Sequence, residues 1–394
     1  MTPFLRKILG LNWVLVFVMY ALLIFGVLMI ESAARHLPIS PEKLKEFGSV
    51  GAYYAWMQKN WIVIGSVAYF AAALIDYKWI RWLGIPLYVV SLGLMVMAVH
   101  TNDDVHRLVI AGLSFQPAQL GVTSGIIMIA WLMQDLPKFH RFLGDPFVRI
   151  AIIGVVAAIP FLLVMMMGDM GSALVWIPVI VVSLLVVGIP FRFLSCMAFV
   201  SAGMLPLLYF VILPLVSHRG PERIDLWLRM LQGQQVDIKG DGYAPHNVSM
   251  AVGKAGWKGV GWKATAEKGS LHDKKFIPHL TAHNDFIVAV IAEELGFRGM
   301  ILLLGAFLLL LVQGLFIGFY SRDVSGRMIV CMVVAFLFAH IYENIGMCIL
   351  LMPITGIPLP LVSYSGTFVV ICMFLLGLVQ SVWVHRHRGR LEDD

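Results

Sequence analysis

The chain has 394 residues, of which 60% are hydrophobic and 13% are charged, and its formal net charge is +6. Soluble domains average about 25% charged and under about 50% apolar residues, so this composition excludes a soluble protein and indicates a membrane protein. The mean hydropathy of +0.86 holds over the full length and leaves no stretch for a soluble catalytic domain. The sequence therefore predicts one membrane domain over residues 1–394, and its basic balance favours contact with anionic lipids over nucleic acid.

Ten charge-poor runs are long enough to cross a hydrocarbon core of about 30 Å, which takes about 20 residues of helix. They cover about 11–30, 60–76, 82–100, 118–134, 150–168, 170–189, 193–216, 286–320, 328–350 and 364–384. Residues 344–384 lack any charged side chain and are too long for one span, so Pro353, Pro358 and Pro360 should break them into two helices joined by a re-entrant turn. The predicted fold class is all-α and polytopic, with about ten transmembrane helices.

The distribution of positive charge predicts the orientation of the chain. With the N-terminus inside, the segments on its side of the membrane hold thirteen Lys and Arg residues, and the short loops on the other side hold five. Cytoplasmic loops carry this excess, so both termini are predicted to be cytoplasmic. The long polar segment at about 217–284, between the seventh and eighth spans, then lies outside. Its many glycines, aromatic residues and charges fit either a covering loop or a substrate-binding loop.

The end of this loop carries the strongest candidate for chemistry. His283, Asn284, Asp285 and Phe286 lead directly into an apolar helix. A carboxylate at the membrane face of a helix is a candidate functional group by default, and partial loss of water makes it a better base. The alternative is that Asp285 only caps the first turn of the helix.

Two further polar groups lie inside or beside apolar runs. Asp169 either borders a substrate cavity or bonds the free amides at Gly171 and Ser172, and the second role is favoured. Glu294 and Arg298 are four residues apart, a spacing that predicts an ion pair along one helix.

Several segments share their residues and spacing with one known family, and together they span nearly the whole chain. They are Gly356–Gly366 (family GxPLPxxSYGG), His283–Phe286 followed by Ala292–Gly296 (family HTDF and AEELG), Phe115–Pro117 (family FQPSE), Asp169–Ser172 (family PDLGT), Gly240–Tyr243 with Ala251–Gly256, and Asn344–Met347. On these motifs the chain resembles the SEDS family, which contains RodA, FtsW and SpoVE.

The resemblance implies peptidoglycan glycosyltransfer, in which lipid II is polymerised into glycan strands at the outer face of the bacterial cytoplasmic membrane. Asp285 matches the essential acid of the family and would deprotonate the acceptor 4-hydroxyl, which attacks the anomeric carbon of the donor with inversion. A departing lipid pyrophosphate needs cations, from side chains or from a divalent metal. The substrate-binding candidates are Arg107, Lys59, Arg223, His283, Gln116, Tyr243, Ser363 and Tyr364, with Arg219 as a further cation. Each cation taken singly also fits a boundary residue that reaches toward the headgroups.

The segment that matches the family QPSExxK reads Gln116 to Val122 and lacks the Ser, the Glu and the Lys. An acid and a base on one helix face can be lost together at small cost, because neither is left as an unpaired buried charge. The loss keeps open two alternatives, a lipid II flippase and a non-catalytic scaffold. The resemblance also implies a class B penicillin-binding protein and elongation-complex membrane proteins as partners, and the Thr355–Pro360 segment and short tails favour the elongation branch over the division branch.

Overall fold

The computed structural model describes residues 7–100, 108–110, 113–207 and 219–386. Arg107 and the side chain of Arg219, two of the candidate cations, lie outside the described parts of the chain. The described part is built from helices and one short antiparallel hairpin, in which Leu108 pairs with Phe115 and Ile110 with Leu113.

The elements follow one another along the chain with short connections. They are α1 (Trp13–Ala33), α2 (Pro41–Phe47), α3 (Val50–Leu74), α4 (Tyr77–Ile80), α5 (Gly84–Val99), β1 (Leu108–Ile110), β2 (Leu113–Phe115), α6 (Pro117–Phe139), α7 (Pro146–Met166), α8 (Met170–Leu174), α9 (Trp176–Val187), α10 (Phe191–Leu207), α11 (Arg219–Leu231), α12 (Tyr243–Lys254), α13 (Ile287–Phe319), α14 (Val324–Cys348) and α15 (Thr367–Val384). Short 3₁₀ turns lie at Arg81–Leu83, Arg141–Gly144 and Ala266–Lys268.

Several helices begin at side chains that satisfy the free amides of a first turn. Asn12 accepts from the amide of Leu15, Asp145 from that of Phe147, and Asp323 from that of Gly326. Pro146 follows Asp145 at the first helical position, where its missing N–H costs nothing. These polar residues lie at the boundaries of apolar runs. Each therefore marks the position where an apolar helix begins.

The predicted polytopic membrane fold is confirmed. Among the described residues, seven helices are long and apolar enough to cross a membrane: α1, α6, α7, α8 with α9, α13, α14 and α15. The predicted runs at 60–76, 82–100 and 193–216 fall on α3, α5 and α10, although residues 208–216 lie outside the described chain. The count of ten spans stays a prediction.

One large core joins the long helices. Its fully buried side chains come mainly from α1, α6, α13, α14 and α15. The loop before α13, which is predicted to lie outside and is called the outer loop, adds Val248, Ala251, Ile277 and Ala282. The loop is therefore packed onto the helices as part of the fold, as the covering-loop interpretation requires.

The connection between α14 and α15 is not helical, as the prolines predicted, and it is buried. Ile357, Leu359, Leu361 and Val362 are each at most 1% exposed. A Cβ at Gly26 on α1 would lie 2.8 Å from the Val362 Cα, so only glycine lets α1 approach this turn. The proline motif thus forms a fixed surface inside the helix bundle.

Candidate active site around Asp285

Asp285 lies at the last turn of the outer loop, one residue before the helix cap. The amides of Asn284 and Asp285 donate to the Thr281 carbonyl at 3.1 and 3.0 Å, which closes the turn. Phe286 occupies the N-cap position of α13. Asp285 therefore precedes the cap position and does not occupy it, and its catalytic role remains a prediction.

Side chains from two of the matched motifs, Asn344–Met347 and Gly356–Gly366, hold the main chain around Asp285. The Asn344 side-chain amide donates to the Asp285 carbonyl at 2.9 Å and to the Ile357 carbonyl at 2.6 Å. The Ser363 hydroxyl donates to the Asn284 carbonyl at 2.6 Å and accepts from the Leu359 amide at 2.9 Å. The segment before α13 and the proline-rich turn are therefore locked together by hydrogen bonds to main-chain atoms.

The Asp285 carboxylate faces this turn at Gly356. An added Cβ at Gly356 would lie 3.7 Å from Asp285 Oδ2, and Gly356 has φ +76°, a conformation that side-chain-bearing residues rarely adopt. Asp285 itself is half-buried. A carboxylate that is partly shielded from water and lies close to a rigid turn is suited to taking a proton from a bound hydroxyl group.

Three rings meet on the Ser363 side of the site. The His283 ring centroid lies 5.3 Å from that of Tyr54 and 5.4 Å from that of Tyr364, and Tyr54 lies 5.3 Å from Tyr364. The Tyr364 amide also donates to the His283 carbonyl at 3.0 Å. The structure thus brings together the predicted residues His283, Ser363 and Tyr364, and it adds Tyr54, which sequence reasoning missed despite the Tyr53, Tyr54 and Trp56 cluster before the second span.

A cavity of about 610 Å³ lies on the other side of the turn. Arg223 on α11 reaches it and donates to the carbonyls of Ile354 and Thr355 at 3.3 and 3.4 Å. Arg229 lines the same cavity and pairs with Asp225 at 2.6 Å. Arg223 thus contacts Thr355, the residue next to Gly356. The same cavity is also lined by four acidic residues, Glu222, Asp225, Asp237 and Asp241.

The other predicted residues that the structure describes make contacts with groups other than Asp285, or are exposed. The Gln116 side-chain amide donates to Asp169 Oδ2 at 2.7 Å. The Tyr243 hydroxyl donates to the Lys275 carbonyl at 2.9 Å, a bond within the outer loop. Lys59 is exposed on α3. These contacts give Gln116 and Tyr243 structural roles, and substrate contact by Gln116, Tyr243 and Lys59 remains a prediction.

Asp169 caps a helix, as the sequence analysis favoured. Its Oδ1 accepts from the Ser172 amide at 3.0 Å, and its Oδ2 accepts from the Ser172 hydroxyl at 2.7 Å. The Gln119 side-chain amide then donates to Ser172 Oγ at 3.0 Å. Gln119 is 1% exposed and Val122 is fully buried, so the positions of the missing acid and base are filled by a neutral hydrogen bond and an apolar side chain.

The predicted ion pair between Glu294 and Arg298 is wrong. Glu294 instead binds Arg35 of α1 at 2.9 Å and accepts from the Ser32 hydroxyl. Gly296, with φ 68° and ψ −166°, interrupts α13 between the two residues, so they do not follow one another along a regular helix. The spacing rule fails because it presumes an unbroken helix.

The break at Gly296 is where the outer loop joins α13. The amides of Val260 and Gly261 donate to the carbonyls of Glu293 and Glu294 at 2.9 and 3.0 Å, and the Phe297 amide donates to the Gly256 carbonyl at 2.8 Å. A Cβ at Gly296 would lie 2.3 Å from the Gly259 nitrogen. The glycine-rich part of the loop therefore pairs with opened backbone of the helix.

Carboxylates complete this junction. Glu293 accepts from the amides of Leu271 and His272, and Arg35 also donates to the Ala264 carbonyl at 3.1 Å. We refer to Ser32, Arg35, Glu293, Glu294 and the bonded loop residues 264–273 as the outer ion-pair cluster. In the part of the chain that is described, no group of three or more His, Cys, Asp or Glu side chains converges as a metal site.

Comparison with known proteins places the chain in a family. The model of the FtsW, RodA and SpoVE family, described as cell cycle proteins, matches residues 12–388. Peptidoglycan glycosyltransferase MrdB of Escherichia coli K12 is 30% identical over 274 residues, 69% of each chain. A probable peptidoglycan glycosyltransferase FtsW of Trichlorobacter lovleyi is 29% identical over 377 residues, covering 94% of this chain and 92% of that protein.

Two solved structures share the fold. A chain from a peptidoglycan synthase complex, described for its coordination of polymerization and crosslinking, aligns with TM-score 0.75 and 23% identity over 96% of this chain and 99% of its own. The Thermus thermophilus rod shape determining protein RodA aligns with TM-score 0.65 and 22% identity over 96% and 98%. The chain is a multi-pass membrane protein of the FtsW, RodA and SpoVE family.

Proposed function

We propose that this protein is a peptidoglycan glycosyltransferase that polymerises lipid II into glycan strands during cell-wall elongation, with Asp285 as the general base. The observation that carries the proposal is the position of Asp285, whose main chain is fixed by Asn344 and Ser363 while its carboxylate faces Gly356. The relatives named as peptidoglycan glycosyltransferases support the reaction class.

The reaction assigns one step to Asp285. Its carboxylate takes the proton of the acceptor 4-hydroxyl, the oxygen forms a bond to the anomeric carbon of the donor, and the bond from that carbon to the lipid pyrophosphate breaks with inversion. A rigidly held base is efficient because its orientation is fixed before the substrate arrives. Negative charge then gathers on the leaving pyrophosphate.

Among the described residues, we assign Arg223 and Arg229 to meet that charge, and Arg229 would have to leave its ion pair with Asp225. Both line the cavity beside the 350–356 turn, and the Arg223 guanidinium already reaches toward that turn. Guanidinium groups bind phosphate oxygens in a two-pronged geometry. The predicted cation Lys59 is exposed on α3 and stands as a second candidate. A divalent metal could share this task, and no residue is assigned to one.

The setting of the enzyme follows from the same proposal. The protein lies in the bacterial cytoplasmic membrane with both termini in the cytoplasm and the 217–284 loop outside. A class B penicillin-binding protein and other elongation-complex proteins are its partners, and the polymerase works at the outer face on substrate that enters from the lipid.

The test is glycan polymerisation from labelled lipid II by the purified protein with its cognate class B penicillin-binding protein. Wild type should make polymer and Asp285→Ala should make none. Polymer from both proteins would show that Asp285 is not the general base, and His283 and Asp169 would then be tested for that role. Polymer from neither would favour a flippase or a non-catalytic scaffold, and lipid II translocation in vesicles would separate those two.

A further inference from the structure

A continuous series of aromatic rings leads away from the Asp285 site along the outer end of the molecule. We call it the aromatic run, and its members are His283, Tyr364, Tyr54, Tyr53, Phe47 and Trp56. Beyond the three rings at the site, Tyr54 lies 5.4 Å from Tyr53, Tyr53 lies 5.4 Å from Phe47, and Phe47 lies 5.1 Å from Trp56 between ring centroids. Each distance is within the range of direct ring contact.

The backbone explains why these rings stand in line. α2 ends at Gly48, which has φ 73°, and α3 begins after the Ser49 cap, whose hydroxyl accepts from the Ala52 amide. This tight elbow folds Phe47 of α2 onto Tyr53 and Trp56 of α3. The rings come from four separate segments of the chain, so their alignment is a product of the tertiary structure.

Exposure increases along the run with distance from Asp285. His283 is buried at 9% exposure, Tyr54 and Tyr53 are half-buried, and Trp56 is 47% exposed. The Tyr53 hydroxyl also accepts from Lys43 Nζ at 2.8 Å. The outer end of the run thus presents aromatic faces edged by groups that form hydrogen bonds.

Such a surface matches the chemistry of a polysaccharide. A pyranose ring has C–H groups on its faces and hydroxyl groups on its rim, so it stacks on an aromatic face while its rim bonds to polar tips. A polymerase must also hold sugars beyond the reacting pair, because the strand lengthens at every turnover. Aromatic residues that only mark a membrane interface need no contact with one another.

We propose that the aromatic run binds the glycan strand on which Asp285 acts, as a saccharide site outside the reacting centre. This inference rests on the proposed function for the identity of the strand. Substitution of the more exposed rings, Tyr53 and Trp56, should lower the affinity for the strand and leave Asp285 in place. The glycan strands released by such variants should therefore be shorter.

The experiment titrates the intact protein in lipid nanodiscs with a β-1,4-linked N-acetylglucosamine hexamer, followed by calorimetry. Trp56→Leu and Tyr53→Leu should each weaken binding about tenfold, a loss of about 1.4 kcal/mol, because each removes one ring face on which a sugar stacks. Tyr53→Phe keeps the ring and should stay within about threefold of wild type. Trp262→Leu is the matched control, since Trp262 is 51% exposed on the outer loop and lies outside the run.

Three results would overturn the inference: no hexamer binding by wild type, equal binding by wild type and both leucine variants, or equal loss in Trp262→Leu. Equal binding would identify the run as an interfacial aromatic belt. If Tyr53→Leu fails to fold, the more exposed Trp56→Leu carries the comparison.

Asp285→Ala separates this inference from the proposed function. It should bind the hexamer as wild type does while making no polymer. Hexamer binding that depends on the run, in a wild-type protein without polymerase activity, would keep the saccharide site and refute the glycosyltransferase.

Discussion

Two groups of carboxylates lie near the start of α13, and they differ in which of their atoms the neighbouring side chains and amides bind. At Asp285, Asn344 and Ser363 bind main-chain carbonyls and fix the backbone. At Glu293 and Glu294, the neighbours bind the carboxylates themselves, through loop amides, Ser32 and Arg35. The second pair fastens the outer loop to the helices, whereas the first acid is the one to which the proposed function gives a chemical role.

Amide substitutions should separate the two roles most sharply. Asp285→Asn keeps the shape and removes the base, so the polymerisation rate should fall about 10³-fold with little change in melting temperature. Glu294→Gln should lower the melting temperature and leave the rate per folded molecule near wild type. The measurements are lipid II turnover and thermal unfolding in the same nanodiscs, and a rate loss in Glu294→Gln equal to that of Asp285→Asn would remove the distinction.

Complete truncation of Glu294 should give the largest loss of stability. The Glu294 side chain is fully buried and its partner Arg35 is 20% exposed. Glu294→Ala leaves the guanidinium without its carboxylate, so we expect about 3 kcal/mol of destabilisation, the low end for a broken buried pair. Protease sensitivity of the 256–273 loop reports where the opening occurs. Lys263→Ala is the control, because its 2.6 Å pair with Glu31 is more exposed and should change stability by under about 1 kcal/mol.

Asn344 tests whether the backbone around Asp285 must be fixed. Asn344→Ala removes the bonds to Asp285 and Ile357, and the rate should fall about 10²-fold through misplacement of the base. KM should change less than kcat, because the base and not the substrate site is displaced. An unchanged kcat would show that the proline-rich turn is held by packing alone.

The smallest expected effect concerns pH at the outer ion-pair cluster. Burial, with Arg35 and His36 nearby, lowers the pKa of His272 to about 3. Between about pH 6.5 and 3 the unfolded chain binds a proton that the folded chain does not, so stability should fall as pH falls through this window.

Melting temperature measured from about pH 7.5 to about pH 5 checks this expectation. These limits lie on either side of the ordinary histidine pKa. His272→Leu should flatten the curve. A residual slope should remain, because burial and Arg35 also lower the pKa of His36, against the opposing effect of Asp273. Identical slopes in wild type and variant would assign the pH dependence to other groups.

Much of the site could be anticipated because its residues belong to local motifs. Asp285, His283, Ser363 and Tyr364 were each picked from segments of a few residues, and the fold brings them together. Tyr243 and Gln116 came from motifs as well, yet the structure places their described bonds within the loop and at Asp169. A motif shows that a residue matters without showing which neighbour it meets.

The sequence by itself determined the polytopic membrane fold and the choice of Asp285 as candidate base, while the count of ten spans stays a prediction. Transfer of about 20 apolar residues into lipid is a local free-energy balance that a linear sequence contains. Only the tertiary structure decided that Glu294 binds Arg35, 259 residues away in the chain, and that Tyr54 joins His283. The helix is interrupted at Gly296, where the glycine-rich loop contacts α13, so the four-residue spacing of Glu294 and Arg298 does not bring their side chains together. Partners of this kind are set by long-range packing, which no local pattern specifies.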